Sequence, residues 1–274
     1  MFKINNFKLF QFLPKTILNT VQPNLGNIPD DFDEKDWIFE HNDLFTIPCS
    51  GSISIKNFFK EISHQYHLGS CTANAVADAC EAKMVKDNKT IPGKIKDLSR
   101  LFIYWNARNL DRPPKADKDK GSKIKLALDS VRIYGIPFEK DYPYMFSRVN
   151  KQPGWLVYKK AIKNKFKTFN FYKITSKGQE RRKKIQQALF YNCPVVFGTS
   201  VTEEFRKVRN ANIIQKPKGG FIGKHAMIIV GWSEELQAYH IRNSWGTAWG
   251  DKGYGYMSKK YIESTITKDL WVIL

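Results

Sequence analysis

The stretch HQYHLGSCTANA, residues 64 to 75, decides the fold, because it places a single cysteine between a Leu-Gly-Ser turn and a run of small helix formers. Helical spacing of Ala, Val, Met and Cys continues to Lys86 and predicts a helix that begins at or just after Cys71. Unpaired N–H groups at a helix N-terminus favour an anion, so we expect a lowered pKa for the Cys71 thiol. Three interpretations are open: a buried structural thiol, a metal ligand beside His64 and His67, or a nucleophile.

A nucleophilic cysteine needs a base on another element and a group that orients this base. His225 precedes the apolar run AMIIVGW, which predicts a buried strand, and Asn243 lies in the strand-like stretch AYHIRNSW. The side-chain carbonyl of Asn243 is able to accept the imidazole N–H. Gln65 lies six residues before Cys71, and its amide together with the backbone N–H of Cys71 is a candidate donor pair for an oxyanion.

The order of these residues resembles that of the papain family of cysteine peptidases, microbial and viral branch. His225 follows Cys71 by 154 residues and Asn243 follows it by 172, slightly more than the family's spacing of about 130–150. The resemblance runs from about residue 45 to the C-terminus. It is carried by Gln65 with Gly69-Ser70-Cys71, by Gly121-Ser122, by Gly223-Lys224-His225-Ala226, and by NSWGTAWGDKGY from Asn243.

The resemblance implies an α+β, papain-like fold with two lobes and the active-site cleft between them. Helical patterns dominate the first half of the chain and strand patterns the second half, which agrees with a helical left lobe and a right lobe built from a β-sheet or barrel. We expect the helical lobe at about residues 58–140 and the β-rich lobe at about 165–274, within a peptidase domain of residues 45–274. Residues 1–44 are interpreted as an N-terminal extension and a possible short prosegment over the cleft.

The resemblance also implies a role for each matching residue. Cys71 would be the nucleophile, His225 its base and then the acid, and Asn243 the group that orients the imidazole. Trp245 would shield the bond between His225 and Asn243 from water, and Gln65 would donate to the oxyanion. The expected activity is that of a cysteine endopeptidase, which cleaves protein or peptide substrates through a thioester and needs no cofactor or metal.

Substrate contacts follow from the same comparison. Gly121 and Ser122 match a Gly-Gly pair whose backbone binds an extended substrate strand, as in β-augmentation. Ala226 and Gly198 are expected to line the pocket for the second residue upstream of the cut.

Three departures from the family pattern bear on location and electrostatics. Leu68 stands where a disulfide cysteine is usual, Thr72 where Trp is usual, and Lys224 where papain has Asp. The four cysteines are few and widely spread, which favours a disulfide-free protein inside the cell. We therefore expect a cytoplasmic location, with a virion or a lysosome-like compartment as the alternative, and no membrane-spanning segment.

Other functions stay open at this point. His64, His67 and Cys71 lack the clear spacing and the fourth ligand of a typical zinc site. The net charge of +19 and the basic runs between residues 158 and 184 are compatible with a protein that binds nucleotides, nucleic acids or other polyanions, with regulated or absent peptidase activity. An isopeptidase or acyltransferase could use the same triad. The oligomeric state is not predicted.

Overall fold

The computed structural model describes residues 23–40, 51–91 and 94–274, so Cys49 and His41 lie outside the described residues. Its helices are α1 (Cys71–Lys86), α2 (Arg100–Leu110), α3 (Ile124–Tyr134), α4 (Trp155–Lys163), α5 (Gly178–Phe190), α6 (Glu203–Arg206) and α7 (Lys259–Ile262). Its strands are β1 (Asn27–Ile28), β2 (Ile53–Ser54), β3 (Ser122–Lys123), β4 (Phe171–Ile174), β5 (Val195–Thr202), β6 (Ile213–Ile214), β7 (Phe221–Ser233), β8 (Ala238–Arg242), β9 (Tyr254–Ser258) and β10 (Thr267–Ile273).

The central helix α1 begins at Cys71 as the small residues of the sequence predict. Of its 16 residues, 14 are buried, and this is possible because alanines let neighbouring elements approach closely. The helix packs against α2 and α3 in one lobe and against β7 in the other. Helix α3 ends at Tyr134, since Gly135 follows it with φ +72° and donates its N–H to the carbonyl of Val131.

The second lobe is an eight-stranded sheet in the order β4-β10-β5-β7-β8-β9-β6, with β2 paired to the far end of β7. Its long strands are antiparallel, and β7 is buried from His225 to Trp232. The register of β5 with β7 sets Gly198 opposite Ala226 and Thr199 opposite His225. The architecture is therefore α+β with two lobes, which confirms the predicted fold class. Among the described residues, no helix is long and apolar enough to cross a membrane.

The sequence patterns did not predict every element of the fold. Helix α4, which ends inside the basic segment 158–184, was not predicted. Strands β4 and β10 were not predicted either. Strand β10 lacks a regular alternation because a bulge interrupts it between Lys268 and Trp271, where Asp269 adopts φ +53°. Strand β9 ends at Ser258, and the short helix α7 follows it directly.

Candidate active site

Cys71 lies at the N-terminus of α1, fully buried at the junction of the two lobes. Its burial raises the pKa of the thiol to about 11, although the backbone N–H groups of Ala226, Gly26 and Thr72 lower it in part. The expectation of a lowered pKa is therefore wrong for this arrangement. Desolvation of the fully buried sulfur therefore outweighs the N–H groups of the helix terminus, of Ala226 and of Gly26.

His225 lies within β7, and Asn243 directly follows the neighbouring strand β8. His225 Nε2 lies 2.7 Å from Asn243 Oδ1, which also accepts the backbone N–H of Ser244 at 2.8 Å. Because Oδ1 is an acceptor, Nε2 must carry the proton, and Nδ1 is left with its lone pair. Within the described residues, Nδ1 is buried without a hydrogen-bond partner. Burial lowers the pKa of His225 to about 4, so the imidazole is neutral in this state.

Trp245 lies where the shielding role requires it. Its ring stacks on the imidazole of His225 with centroids 4.4 Å apart, and it is buried. The rings of Phe205 and Trp249 both pack edge-on against Trp245, and they are tilted relative to each other. The aromatic wall keeps water from the bond between His225 and Asn243.

Gln65 is held by the segment that carries Asn243. Its backbone N–H donates to the carbonyl of Ser244 at 2.8 Å, and the Ser244 hydroxyl donates to Gln65 Oε1 at 2.8 Å. This contact orients the amide so that Nε2 points away, to the carbonyls of Leu68 at 2.9 Å and Asn24 at 3.0 Å. A peptide carbonyl oxygen therefore already occupies the donor that was predicted for an oxyanion.

The predicted substrate strand lies on the other side of Cys71. Gly121 has φ +85°, and Ser122 donates its N–H to the carbonyl of Gly26 at 2.9 Å. The hydroxyl of Ser122 is hydrogen-bonded to that of Thr72. Thr72, which departs from the family pattern, is thus the partner of a residue of the predicted substrate-binding pair, and a linear comparison of motifs does not reveal this contact.

The segment over the cleft is the strap, defined as residues 23–40. Strand β1 of the strap pairs in parallel with β3, Asn27 opposite Ser122. The strap lies so close to the turn at Gly69 and Ser70, called the nucleophile turn because it precedes Cys71, that a Cβ on Gly26 would come within 1.8 Å of the Gly69 carbonyl oxygen. Leu25 packs against Gly223, and Asn27 packs against Gly198. The strap therefore fills the predicted upstream subsites as well as the oxyanion position.

Beyond the cleft, the strap is attached by charge and by backbone pairing. It contains six acidic residues and one lysine, in a chain whose net charge is +19. The Trp37 carbonyl accepts the Lys173 N–H at 2.7 Å, and the Phe39 N–H donates to the Lys173 carbonyl at 2.9 Å. Its ion pairs are Asp31 with Lys123, Asp33 with Lys125, Asp36 with Lys125 and Lys173, and Glu40 with Lys184.

A buried ion pair that the sequence interpretation missed joins the two lobes. Arg242, directly before Asn243, donates to Asp78 Oδ2 at 2.6 Å, two turns along α1 from Cys71. It also donates to the carbonyls of Lys60 and Glu61 at 3.0 and 2.7 Å. The signal was present in the sequence as a single arginine at the end of an apolar strand.

The remaining histidines and cysteines have structural surroundings. His64 Nδ1 accepts the Tyr66 N–H at 2.8 Å, and the His67 ring packs on Phe146 at 4.2 Å. In the described part of the chain, no group of three or more His, Cys, Asp or Glu could hold a metal ion. Cys80 and Cys193 are free and buried.

The basic run at residues 180–184 is largely used inside the protein. Arg181 is buried and donates to the carbonyls of Ser176, Ile262, Ser264 and Thr267. Arg182 pairs with Glu263, and Lys184 with Glu40 of the strap. Binding of a polyanion through residues 158–184 stays a prediction, with fewer free cations at its C-terminal end than the sequence indicates.

Comparisons with known proteins agree with this geometry. The family model "Papain family cysteine protease" matches residues 52–273. A peptidase C1-like protein of Acanthamoeba polyphaga mimivirus, described as uncharacterized, is 34% identical over 249 residues, which cover 87% of this chain and 74% of that protein. A probable cysteine protease of Arabidopsis thaliana is 35% identical over 205 residues, 73% of this chain and 52% of that one.

Solved structures show the same fold. Xylellain, a cysteine protease from Xylella fastidiosa, has a TM-score of 0.78 and 27% identity, covering 92% of this chain and 96% of that one. A digestive procathepsin L of Tenebrio molitor has a TM-score of 0.68 over 94% of this chain and 78% of that one, with 17% identity and hence a likeness of fold alone. The chain belongs to the papain family of cysteine proteases and is a cysteine-type peptidase.

Proposed function

We propose that this peptidase is an endopeptidase that works through a triad of Cys71, His225 and Asn243 and a thioester acyl-enzyme. The single observation that carries the proposal is the bond of 2.7 Å between His225 Nε2 and Asn243 Oδ1. It leaves His225 Nδ1 as the only ring atom able to take a proton, one residue from Ala226, whose N–H lies against the Cys71 sulfur.

The chemistry follows from these positions. The Cys71 proton moves to His225 Nδ1, and the sulfur attacks the substrate carbonyl carbon. Gln65 Nε2 and the Cys71 backbone N–H stabilise the oxyanion, for which one donor typically contributes about 2.7–4 kcal/mol. The tetrahedral intermediate collapses to a thioester as His225 gives its proton to the leaving amine, and water then hydrolyses the thioester by the reverse proton route.

The test, on a chain whose strap is displaced, is covalent labelling by a thiol-directed epoxide, followed by intact mass and by turnover of fluorogenic peptides. One adduct that disappears in Cys71→Ala, together with turnover, is the expected result. The matched control is Cys80→Ala, a buried thiol on the same helix, which should keep the adduct. Turnover with a peptide but not with an isopeptide substrate separates this proposal from the isopeptidase alternative.

We further propose that the strap is an inhibitory prosegment. Its Asn24 carbonyl lies on Gln65 and its Asn27 lies beside Ser122, so its downstream residues fill the upstream subsites. A substrate must run the opposite way, with its upstream residues along β3 and its scissile carbonyl at Cys71. The strap is therefore a ligand of reversed polarity, which blocks the cleft without presenting a bond for cleavage.

The alkylation rate of Cys71 reports whether the strap covers the thiol. A pKa of about 11 leaves about 100-fold less thiolate at neutral pH than the ordinary value of 9.0. We expect slow alkylation of Cys71 by iodoacetamide at pH 7 and a rate that rises with pH beyond 9. Displacement of the strap should move this profile to lower pH, and an unchanged profile would contradict the proposed cover.

The docking of the strap should depend on pH through Asp30. Burial and the neighbouring Asp269 raise the pKa of Asp30 to about 7, while the N–H groups of Lys125 and Trp271 that it accepts act in the opposite direction. A free strap would ionise near 3.8, so the docked form holds a proton that the free form loses. Docking is therefore favoured at acid pH and weakens as pH rises from about 4 to 7.

The variant Asp30→Asn isolates this effect because an amide resembles the protonated carboxyl. We expect the ratio of the peptidase rate of the unaltered chain to that of Asp30→Asn to increase at least tenfold between pH 5 and pH 8. The ratio cancels the titration of the Cys71 and His225 pair, which both chains share. A ratio that does not change with pH would remove Asp30 from the control of the strap.

A further inference from the structure

The turn before the nucleophile is tied to the substrate strand by two side chains outside the triad. Asp119 Oδ1 accepts the Gly69 N–H at 3.0 Å and also the hydroxyl of Tyr104. The same hydroxyl accepts the Gly121 N–H at 3.0 Å. One phenol and one carboxylate thus connect the residue two before Cys71 with the residue that begins the substrate-binding pair. We name this arrangement the Gly69 clamp, composed of Tyr104, Asp119 and the N–H groups of Gly69 and Gly121.

The polar atoms of the clamp surround Gly69 and leave no space for a side chain there. A Cβ built on Gly69 would lie 3.2 Å from each of Asp119 Oδ1, Gly121 N and the Tyr104 hydroxyl oxygen. Contacts that short are tighter than ordinary van der Waals packing, so a side chain at position 69 would push the strand and the turn apart. The distance between the two segments is therefore determined by these polar atoms.

Helix α2 makes the clamp rigid. Tyr104 is fully buried, and the guanidinium of Arg108, one turn later, lies 4.0 Å from the centre of its ring. Arg108 is itself buried and donates to the carbonyls of Tyr104, Lys118 and Val149, which holds the loop that carries Asp119. Burial raises the pKa of Tyr104, so its hydroxyl keeps the proton that it donates to Asp119.

No covalent link performs this task in the described chain. Its cysteines Cys71, Cys80 and Cys193 are free, and Leu68 stands beside Gly69. The two segments that must be in register during acylation, the nucleophile turn and the backbone of Gly121 and Ser122, are therefore connected by hydrogen bonds. A displacement of about 1 Å between nucleophile and bound substrate can cost about 100-fold in rate.

We propose that Tyr104 and Asp119 are positioning residues for peptide hydrolysis, which hold the nucleophile turn at the correct distance from the bound substrate strand. The inference rests on the proposed function. Because the clamp acts on the alignment of a bound carbonyl with the sulfur, its loss should lower kcat more than it raises KM. It should also free the Gly69 and Gly121 N–H groups for exchange with solvent.

The test uses Tyr104→Phe in the full-length chain, with and without a displaced strap. This change removes only the hydroxyl and keeps the ring under Arg108. We expect kcat to fall at least tenfold, KM to change less than threefold, and amide exchange at Gly69 and Gly121 to accelerate at least tenfold. The matched control is Tyr158→Phe, which removes a phenol bonded to Asn106 at 2.7 Å away from the cleft.

A second pair of variants distinguishes positioning from general stability. Asp119→Asn keeps an oxygen that accepts the Gly69 N–H and should retain most of kcat, whereas Asp119→Ala should lose at least tenfold. Kinetics and amide exchange of Tyr104→Phe that match those of Tyr158→Phe would overturn the inference. If no open chain hydrolyses peptides while exchange at Gly69 and Gly121 still responds to Tyr104→Phe, the coupling of the two segments is upheld and the proposed peptidase mechanism is rejected.

Discussion

Replacing Cys71 with alanine is expected to lower kcat for peptide hydrolysis by a factor of about 10⁴ to 10⁶. The triad acts as one unit, so removal of its nucleophile costs about as much as removal of the whole set. The side chain is fully buried beside Ala226, and therefore alanine leaves the helix and the oxyanion donors in place. The measurement is single-turnover and steady-state hydrolysis of a fluorogenic peptide by a chain whose strap is displaced.

The control for this loss is Cys80→Ala. Cys80 is buried on the same helix, nine residues later, and faces no part of the cleft. It should affect thermal stability without removing turnover. Acid quench during the first turnover should trap an acyl group on Cys71 in the Cys80→Ala chain and none in the Cys71→Ala chain. Hydrolysis that persists at a comparable rate in Cys71→Ala would refute the proposed nucleophile.

The second large effect is a gain of activity in Gly26→Ala. A Cβ at this position would lie 1.8 Å from the Gly69 carbonyl oxygen and 2.3 Å from its carbon, which are backbone atoms of the nucleophile turn. The strap, which pairs with β3 over only two residues, has to yield. Because a tethered segment acts at an effective concentration of the order of millimolar, its displacement should raise kcat/KM by about 100- to 1000-fold.

The matched control for this gain is Gly154→Ala. A Cβ on Gly154 would meet no heavy atom within 4 Å, so this chain should behave like the unaltered one. Circular dichroism should be similar for both variants, since the helices and the long strands of the two lobes lie outside the strap. An unchanged rate in a folded Gly26→Ala chain, with the same slow alkylation of Cys71, would show that the strap does not control access to the cleft.

Local patterns in the chain were sufficient to predict the helix that begins at Cys71 and to select the candidate site residues in their sequence order. The alanine-rich spacing after Cys71 predicts a helix because helical propensity and periodicity act between residues a few positions apart. The strand pattern before Asn243 is equally local. The proposed base, orienting amide and oxyanion donor were chosen from their order in the resemblance, and in the structure His225, Asn243 and Gln65 lie at one junction.

The direction of the Cys71 pKa shift could not be obtained in this way. A helix N-terminus lowers the pKa of a thiol, but the complete burial of the Cys71 sulfur raises this pKa by more than the nearby N–H groups lower it. Desolvation depends on every atom packed around the sulfur, and most of those atoms belong to distant segments. Two other contacts could not be predicted for the same reason: the clamp of Tyr104 and Asp119, and the hydrogen bond between Thr72 and Ser122.

Helices, strands and the types of reacting side chains are thus properties of short stretches of this chain, whose propensities and periodicity act over a few residues. The state of the site is a property of long-range packing. The strap lies over the turn before Cys71, and its acidic residues form ion pairs with lysines of three later segments, Lys123 and Lys125, Lys173, and Lys184. Burial and charge at Cys71 come from contacts across the lobes, which exist only once the chain is folded.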